Sequence, residues 1–477
     1  MKRASVKVVI VHTMLIVGLI LSATHVASAT NSHPTPVLAS PCESPYKKKT
    51  VAAKALKALV QSHERWLEHR YNPDLKRADL CQADLRQAAL TGVNLERAQL
   101  EGAILRQANL YQASLAQTSL AGADLSKAIL EDGNLSGADL RYADLSGANL
   151  FRAIGDEAAL YNAILVGAQL HESSFERAHF EGADLTGADL TNANFVDTYF
   201  YGATLHRAIL SGTDLMGADL RRTILTKANF HQANLQGALL DSAQLDQARL
   251  VETDMESAYL DGASLREANL QEAILRGADL RYVNLRGASL HQADLDGANL
   301  EGASLVKTNL RSANLPMAIF YQAHLDQADF RDARLHRAVL IGARGAQADF
   351  TKADLTEIYS PKASFQRAQF NEAKLESANL VAADLSSANF SHANLTQANL
   401  QEANLQHAIL AGADLSGARL DAADIHQANF SGANLASATG LTQAQLDTVC
   451  LDAQTLLPTD LSRPAPCVAT KKKAAHR

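Results

Sequence analysis

Ten histidines lie between residues 171 and 426, at 171, 179, 206, 231, 291, 324, 336, 392, 407 and 426, and the chain around them is dense in Asp, Asn and Ser. Imidazoles beside carboxylates make metal centres and acid–base pairs, and Ser with His and Asp makes nucleophilic sites. Four cysteines, Cys42, Cys81, Cys450 and Cys467, add thiols. None of their spacings is CxxC, which speaks against zinc ligation and redox catalysis. G-x-S-x-G, the P-loop, H-E-x-x-H and the Gly-rich calcium nonapeptide are all absent from the sequence. Chemistry therefore depends on whether the fold gathers dispersed residues.

The elements follow from a strict frame. From Leu75 to Leu435 there are 73 positions whose numbers end in 0 or 5, and all but Gly155, Gly345 and Ser360 hold Leu, Phe, Met or Ile. Taking this position as i, i−2 is nearly always Ala, i−1 is often Asp or Asn, and i+2 is frequently Gly, as in Gly147-Ala148-Asn149-Leu150. A period of five rotates an α-helical residue by about 140° per repeat, so no apolar stripe forms. In a continuous strand it sends successive leucines to opposite faces. It suits a short extended side with i−2 and i inward, followed by a corner at which Gly tolerates positive φ. Such a chain coils and stacks on itself as a β-solenoid.

The phenylalanines set the coil length. Twelve of the 13 occupy position i, and five Phe pairs are 20 residues apart, against two at 15 and two at 25. Four sides per turn give about 18 coils and, at about 4.8 Å each, a rod of roughly 85 to 90 Å. Phe330, Phe350, Phe370 and Phe390 then form a ladder on one inner wall. The missing core side chains gain partners in the next coil: Phe175 follows Gly155 by 20 residues and Phe365 follows Gly345. At Ser360 the usual Ala of i−2 is replaced by Ile358. No two of the ten histidines are 20 apart, and His171, His231 and His291 share a column in steps of three coils, about 14 Å. No metal or catalytic cluster is expected, so neither enzymatic activity nor a cofactor is.

The repeated A(D/N)LxG units resemble the pentapeptide-repeat family from about Leu75 to Gly440. The resemblance implies an all-β fold, a right-handed quadrilateral β-helix, and leaves activity open. Some members of that family mimic DNA and protect a type II topoisomerase. The acidic rod, 45 acidic against 29 basic residues between 71 and 440, suits that alternative. Interleaved arginines such as Arg266, Arg286, Arg311 and Arg331 break up a phosphate-like field, and an export signal removes the chain from DNA, so nucleic-acid mimicry is disfavoured.

That signal is residues 1–29: Lys2, Arg3 and Lys7, an apolar run from Val8 to about Leu21, then Ala27-Ser28-Ala29 with cleavage after Ala29. The expected locale is periplasmic or extracellular, where disulfides persist. Cys42 with Cys81 and Cys450 with Cys467 are the local pairings, each pinning one end of the rod. Both open ends need covers against edge-to-edge association. Residues 30–49 read as a flexible segment and 50–74 as a helical cap, with Thr50 able to cap the helix and Leu56, Leu59, Val60, His63 and Leu67 on one face. The Lys47–Lys49 run with Lys54 and Lys57 would also suit an anionic membrane, a reading the cap outweighs. Residues 441–463 read as a second cap, opened by the Thr442-x-x-Gln445 capping box, with a helix to about Val449. That stretch resembles the ending of many pentapeptide-repeat proteins. The basic tail, 464–477, reads as disordered.

The function expected is a non-catalytic exported scaffold or protein-binding rod, its partner a protein or an envelope polysaccharide. Outward Tyr111, Tyr142, Tyr161, Tyr201, Tyr282 and Tyr321 are candidate contacts.

Overall fold

A computed structural model describes residues 42–463 apart from 70, 71 and 73. The signal segment with Ala29 and the tail with Cys467 lie outside the described residues. The chain divides after Cys42 into two units, and everything from Glu43 onward belongs to the second.

The second unit is a four-sided parallel solenoid. Each i−1 residue pairs with the residue 20 further on, from Asp79 with Gln99 to Arg419 with Thr439. Leu75, half-buried, joins no such pair; the paired coils begin at Asp79, behind buried Ala78 and Leu80. We name the four sides by their first inner residues, Leu80, Leu85, Leu90 and Leu95. Residues i and i−2 are buried along the rod except at Ala88 and Val93 in the first coil, which are half-buried, and fully burying one Leu is worth about 1.5–3 kcal/mol, so this Leu and Ala column is the main stabilising feature.

Backbone hydrogen bonds explain why five residues suffice. In the first coils Leu80 N–H donates to the Gln99 carbonyl (2.7 Å), Gln82 N–H to Glu101 (2.8 Å) and Gln99 N–H to Ala78 (3.0 Å), while Ala83 N–H closes the corner onto Leu80 (3.0 Å). Four of the five amides in nearly every unit are thereby satisfied by backbone. The corner places i+2 in the left-handed region at every unit from Gln82 to Gly432, whether the residue is Gly147 (φ 61°), Tyr142 (φ 59°) or Arg152 (φ 52°). Glycine is favoured there without being required, because the inter-coil bonds hold the conformation.

Both ends are covered. Helix α1, Ala53–Glu68, packs Leu56, Val60 and His63 inward at the first coils. Its N-cap is Ala52, with no side-chain cap bond, so the expected capping role of Thr50 is not realised. Thr50 instead pairs with Asp84, and Lys48 N–H donates to the Gln82 carbonyl at 2.8 Å. Residues 44–49, assigned by sequence to a flexible segment, thus carry with Thr50 a hydrogen-bonded edge on the first coil. Helix α2, Gln443–Leu446, opens at Thr442 with a reciprocal capping box and is shorter than the sequence suggests. Beyond it Cys450 pairs with Asn429 and Leu456 with Asn434, continuing two sides after one- and two-residue shifts in register.

Candidate interaction surface

The polar residues that invite a chemical reading are absorbed by the backbone. One amide per unit, that of i+1, remains after the ladder is built, and the Asp or Asn at i−1 accepts it: Glu96 N–H donates to Asn94 Oδ1 (3.0 Å), Ser146 N–H to Asp144 Oδ1 (2.8 Å) and Thr186 N–H to Asp184 Oδ1 (2.9 Å). Where i−1 is Ser174, Ser264 or Arg344, an aspartate of the preceding coil substitutes. Asp156, Asp246 and Asp326 accept the amides of Glu176 (2.9 Å), Arg266 (3.1 Å) and Ala346 (2.9 Å). Buried threonines at i−2 also donate to backbone, as Thr118 Oγ1 does to the Leu95 carbonyl at 2.8 Å.

The histidines do not converge. Among the described residues no group of three or more His, Cys, Asp or Glu could hold a metal ion. His63 was read as part of the cap face and has a sharper role. Ala78 N–H donates to its Nδ1 and its Nε2 donates to the Glu96 carbonyl, both at 3.0 Å, so a neutral ring joins α1 to the first coil. Burial holds the imidazole below its ordinary value. Cys42 and Cys81 form a disulfide, and Cys450 is also disulfide-bonded. A cavity of about 650 Å³ lies between α1 and the first coils, lined by Leu56, Val60, Leu85, Leu90 and Val93 with Asp84 and Arg86 at its polar side. Asp84 is held down at about 2, chiefly by its hydrogen bond from Arg86.

Inside the rod, the Phe175 ring occupies the space that a Cβ on Gly155 would need. Phe365 approaches Gly345 in the same way, with a Cβ there falling 2.8 Å from its Cδ1. Phe330, Phe350, Phe370 and Phe390 stack at centroid distances of 4.8, 5.0 and 4.7 Å. Ser360 is fully buried beside Ile358 and its Oγ lies 3.5 Å from the Leu340 carbonyl.

The outside is asymmetric. Nine tyrosines lie in the repeats, and eight project from the Leu80 side: Tyr199, Tyr259 and Tyr359 at i−1, Tyr161, Tyr201 and Tyr321 at i+1, Tyr142 and Tyr282 at i+2. Tyr111 alone sits on another side. The same side carries a ring stack, Tyr161 on His179 (5.0 Å) on Tyr199 (4.7 Å), and half-buried Ile319, Val339 and Ile341. Burial pushes the Tyr161 phenol up to about 12, reinforced by Glu181. Arginines at i+1 fold back on aspartates at i−1, Arg141 on Asp139, Arg221 on Asp219 and Arg281 on Asp279, each at 2.6 Å. Asp241 and Asp261, one coil apart between the last two pairs, make no ion pair among the described residues. Burial raises the Asp241 carboxyl, and the charge of Asp261 adds to the shift.

A five-residue repeat wound into four-sided coils, with its acids and amides spent on its own corners, defines a β-solenoid repeat protein. The chain belongs to the pentapeptide repeats family, whose model matches residues 74–154, 156–358 and 363–435. The two gaps fall at Gly155 and around Ser360, where the inner leucine is missing. Members of this family are generally structural or binding proteins and their fold is a right-handed β-helix. Among solved structures, the chain is similar to HetL, a pentapeptide repeat protein involved in heterocyst differentiation regulation from the cyanobacterium Nostoc sp. strain PCC 7120, at 29% identity over 54% of this chain and 90% of that one, with a TM-score of 0.29. It is similar to the plasmid-mediated fluoroquinolone resistance protein QnrB1 at 22% identity, over 40% of this chain and 91% of that one, TM-score 0.21. A pentapeptide repeat protein of the Arabidopsis thaliana thylakoid lumen is 23% identical over 28% of this chain and 67% of its own, TM-score 0.10. No curated protein sequence matches the chain.

Proposed function

We propose that this chain is an exported, non-catalytic rod that binds another protein along a solenoid side. The observation that carries the reading is the use of its polar groups: the Asp and Asn residues that would build a reactive centre are bonded to corner amides, while one outer side collects nearly all the tyrosines. Aromatic-rich surface is typical of interface cores. The apolar run before Ala27-Ser28-Ala29 supports export, and the disulfide-bonded cysteines suit an oxidising compartment. The test is affinity capture of a tagged full-length chain from its native envelope after fractionation. A mature protein in the envelope fraction with a stoichiometric protein partner is expected. A cytoplasmic, uncleaved product without such a partner would refute the proposal.

DNA mimicry directed at a type II topoisomerase is the second reading, favoured by the excess of acidic residues in the repeats. The Asp–Arg pairs across the corners, such as Arg221 with Asp219, weaken it by cancelling charge locally. Inhibition of topoisomerase-dependent DNA supercoiling by the purified rod would support that reading over ours.

A further inference from the structure

We propose that the Leu80 side is the rod's docking surface for a basic polypeptide, with the Asp241–Asp261 carboxylate pair as its central anchor between Tyr259 and Tyr282. The inference rests on the protein-binding reading above and adds the face and the chemistry of the partner. Four equivalent sides would share nine tyrosines about evenly, yet eight are on one side and span 11 coils, about 50 Å. Core packing does not demand them there, because i−1, i+1 and i+2 all point outward. Tyrosine enrichment is a signature of interface cores.

Charge selects the occupant. Across coils 239–302 the side presents Asp241, Asp261, Asp279 and Glu301 against one cation, Arg281, which is already engaged by Asp279 at 2.6 Å. Asp261 Oδ1 is buried and has no hydrogen-bond partner. Asp261 as a whole is half-buried and makes no ion pair among the described residues, so a cation that docks on its accessible edge gains a carboxylate partner. Tyr259 and Tyr282 flank the pair and are 48% and 60% exposed, and the Tyr282 ring lies against Gly302, where a Cβ would fall 2.6 Å from it. An open tyrosine ring beside carboxylates suits a lysine ammonium or an arginine guanidinium. An anionic polysaccharide would be repelled by the same carboxylates. In the Tyr161–His179–Tyr199 stack both faces of the His179 ring are taken by the neighbouring tyrosines.

The test uses the full chain and a labelled extended peptide of lysine and arginine interspersed with leucine. The probe should bind, and D241N/D261N and Y259S/Y282S should each weaken it about tenfold. E252Q/E272Q neutralises two acids one coil apart on a corner of the Leu90 side and should leave binding unchanged. Equal loss with E252Q/E272Q, or no loss with either first pair, overturns the proposal. So does displacement of the peptide by a neutral or anionic envelope polysaccharide. If an envelope protein is still captured by the variants, this proposal alone has failed. If the wild type captures none, the protein-binding reading has failed with it.

Discussion

Replacing Gly155 by Leu, Phe175 by Leu, and both together separates a packing exchange from two independent core positions. The Phe175 ring fills the Gly155 side-chain space, stacks on Phe195 at 5.7 Å and meets Phe180 edge-on at 5.5 Å. Phe175→Leu removes ring atoms where the adjacent coil has no side chain to relax into the void. The lost transfer energy, the cavity and two ring contacts sum to about 3 kcal/mol. Gly155→Leu has no positive φ to oppose it, but drives a side chain into the ring, an overpacking cost of about 1–3 kcal/mol. The double variant restores two stacked leucines, as elsewhere in the rod, and should lie within about 1 kcal/mol of the wild type. Long repeat arrays do not melt as one unit, so the readout is local. Hydrogen exchange of the Gly155 amide, bonded to Ser174, and of the Phe175 amide, bonded to Asn194, should accelerate about 100-fold in Phe175→Leu and recover in the double variant. Phe230→Leu, with no ring neighbour among the described aromatic pairs, should cost about 1 kcal/mol. Additive effects of the two substitutions, or equal costs at Phe175 and Phe230, would refute the exchange.

Other consequences are as direct. Because the folded His63 pKa lies below the unfolded one, its contribution to docking α1 is present above the unfolded value, about 6.5, and is lost as pH falls from there through the folded value; amide exchange in Ala53–Glu68 should rise selectively in that window, and a pH-independent helix would contradict it. Asp156→Ala should expose the Glu176 amide at a cost of about 1 kcal/mol, whereas Ser174→Ala leaves that bond in place; the two variants are compared by exchange at Glu176. Purified mature protein should yield no free thiol until reduced, and four titratable thiols in the native state would exclude the bridges.

Coil length was legible because only inward rings stack at one coil spacing, so the Phe offsets carried the fold. The exchange at Gly155 could be stated from the same number, since a register of 20 names the neighbour. The tyrosine face was legible too but needed that register applied outward; sorted by it, Tyr111 separates from the other five named candidates and Tyr199, Tyr259 and Tyr359 join them. Other features had no sequence signal. Residues 44–50 lack the repeat pattern and pair with the first coil largely through backbone, so their edge was invisible. The role of Thr50 was misjudged because its hydroxyl had a competing partner, Asp84 Oδ2 at 3.1 Å, that only the coil supplies. His63 has helix-face periodicity, but the amide and carbonyl it joins come from 15 and 33 residues away.

Holding a protein along the Leu80 side is the function proposed for this rod. A photo-reactive residue placed at position 259, and separately at position 111, in the full-length chain in its native cells tests it most directly. A discrete protein adduct from position 259 and none from 111 is predicted. Equal adducts from both positions, or none from 259, would contradict the account.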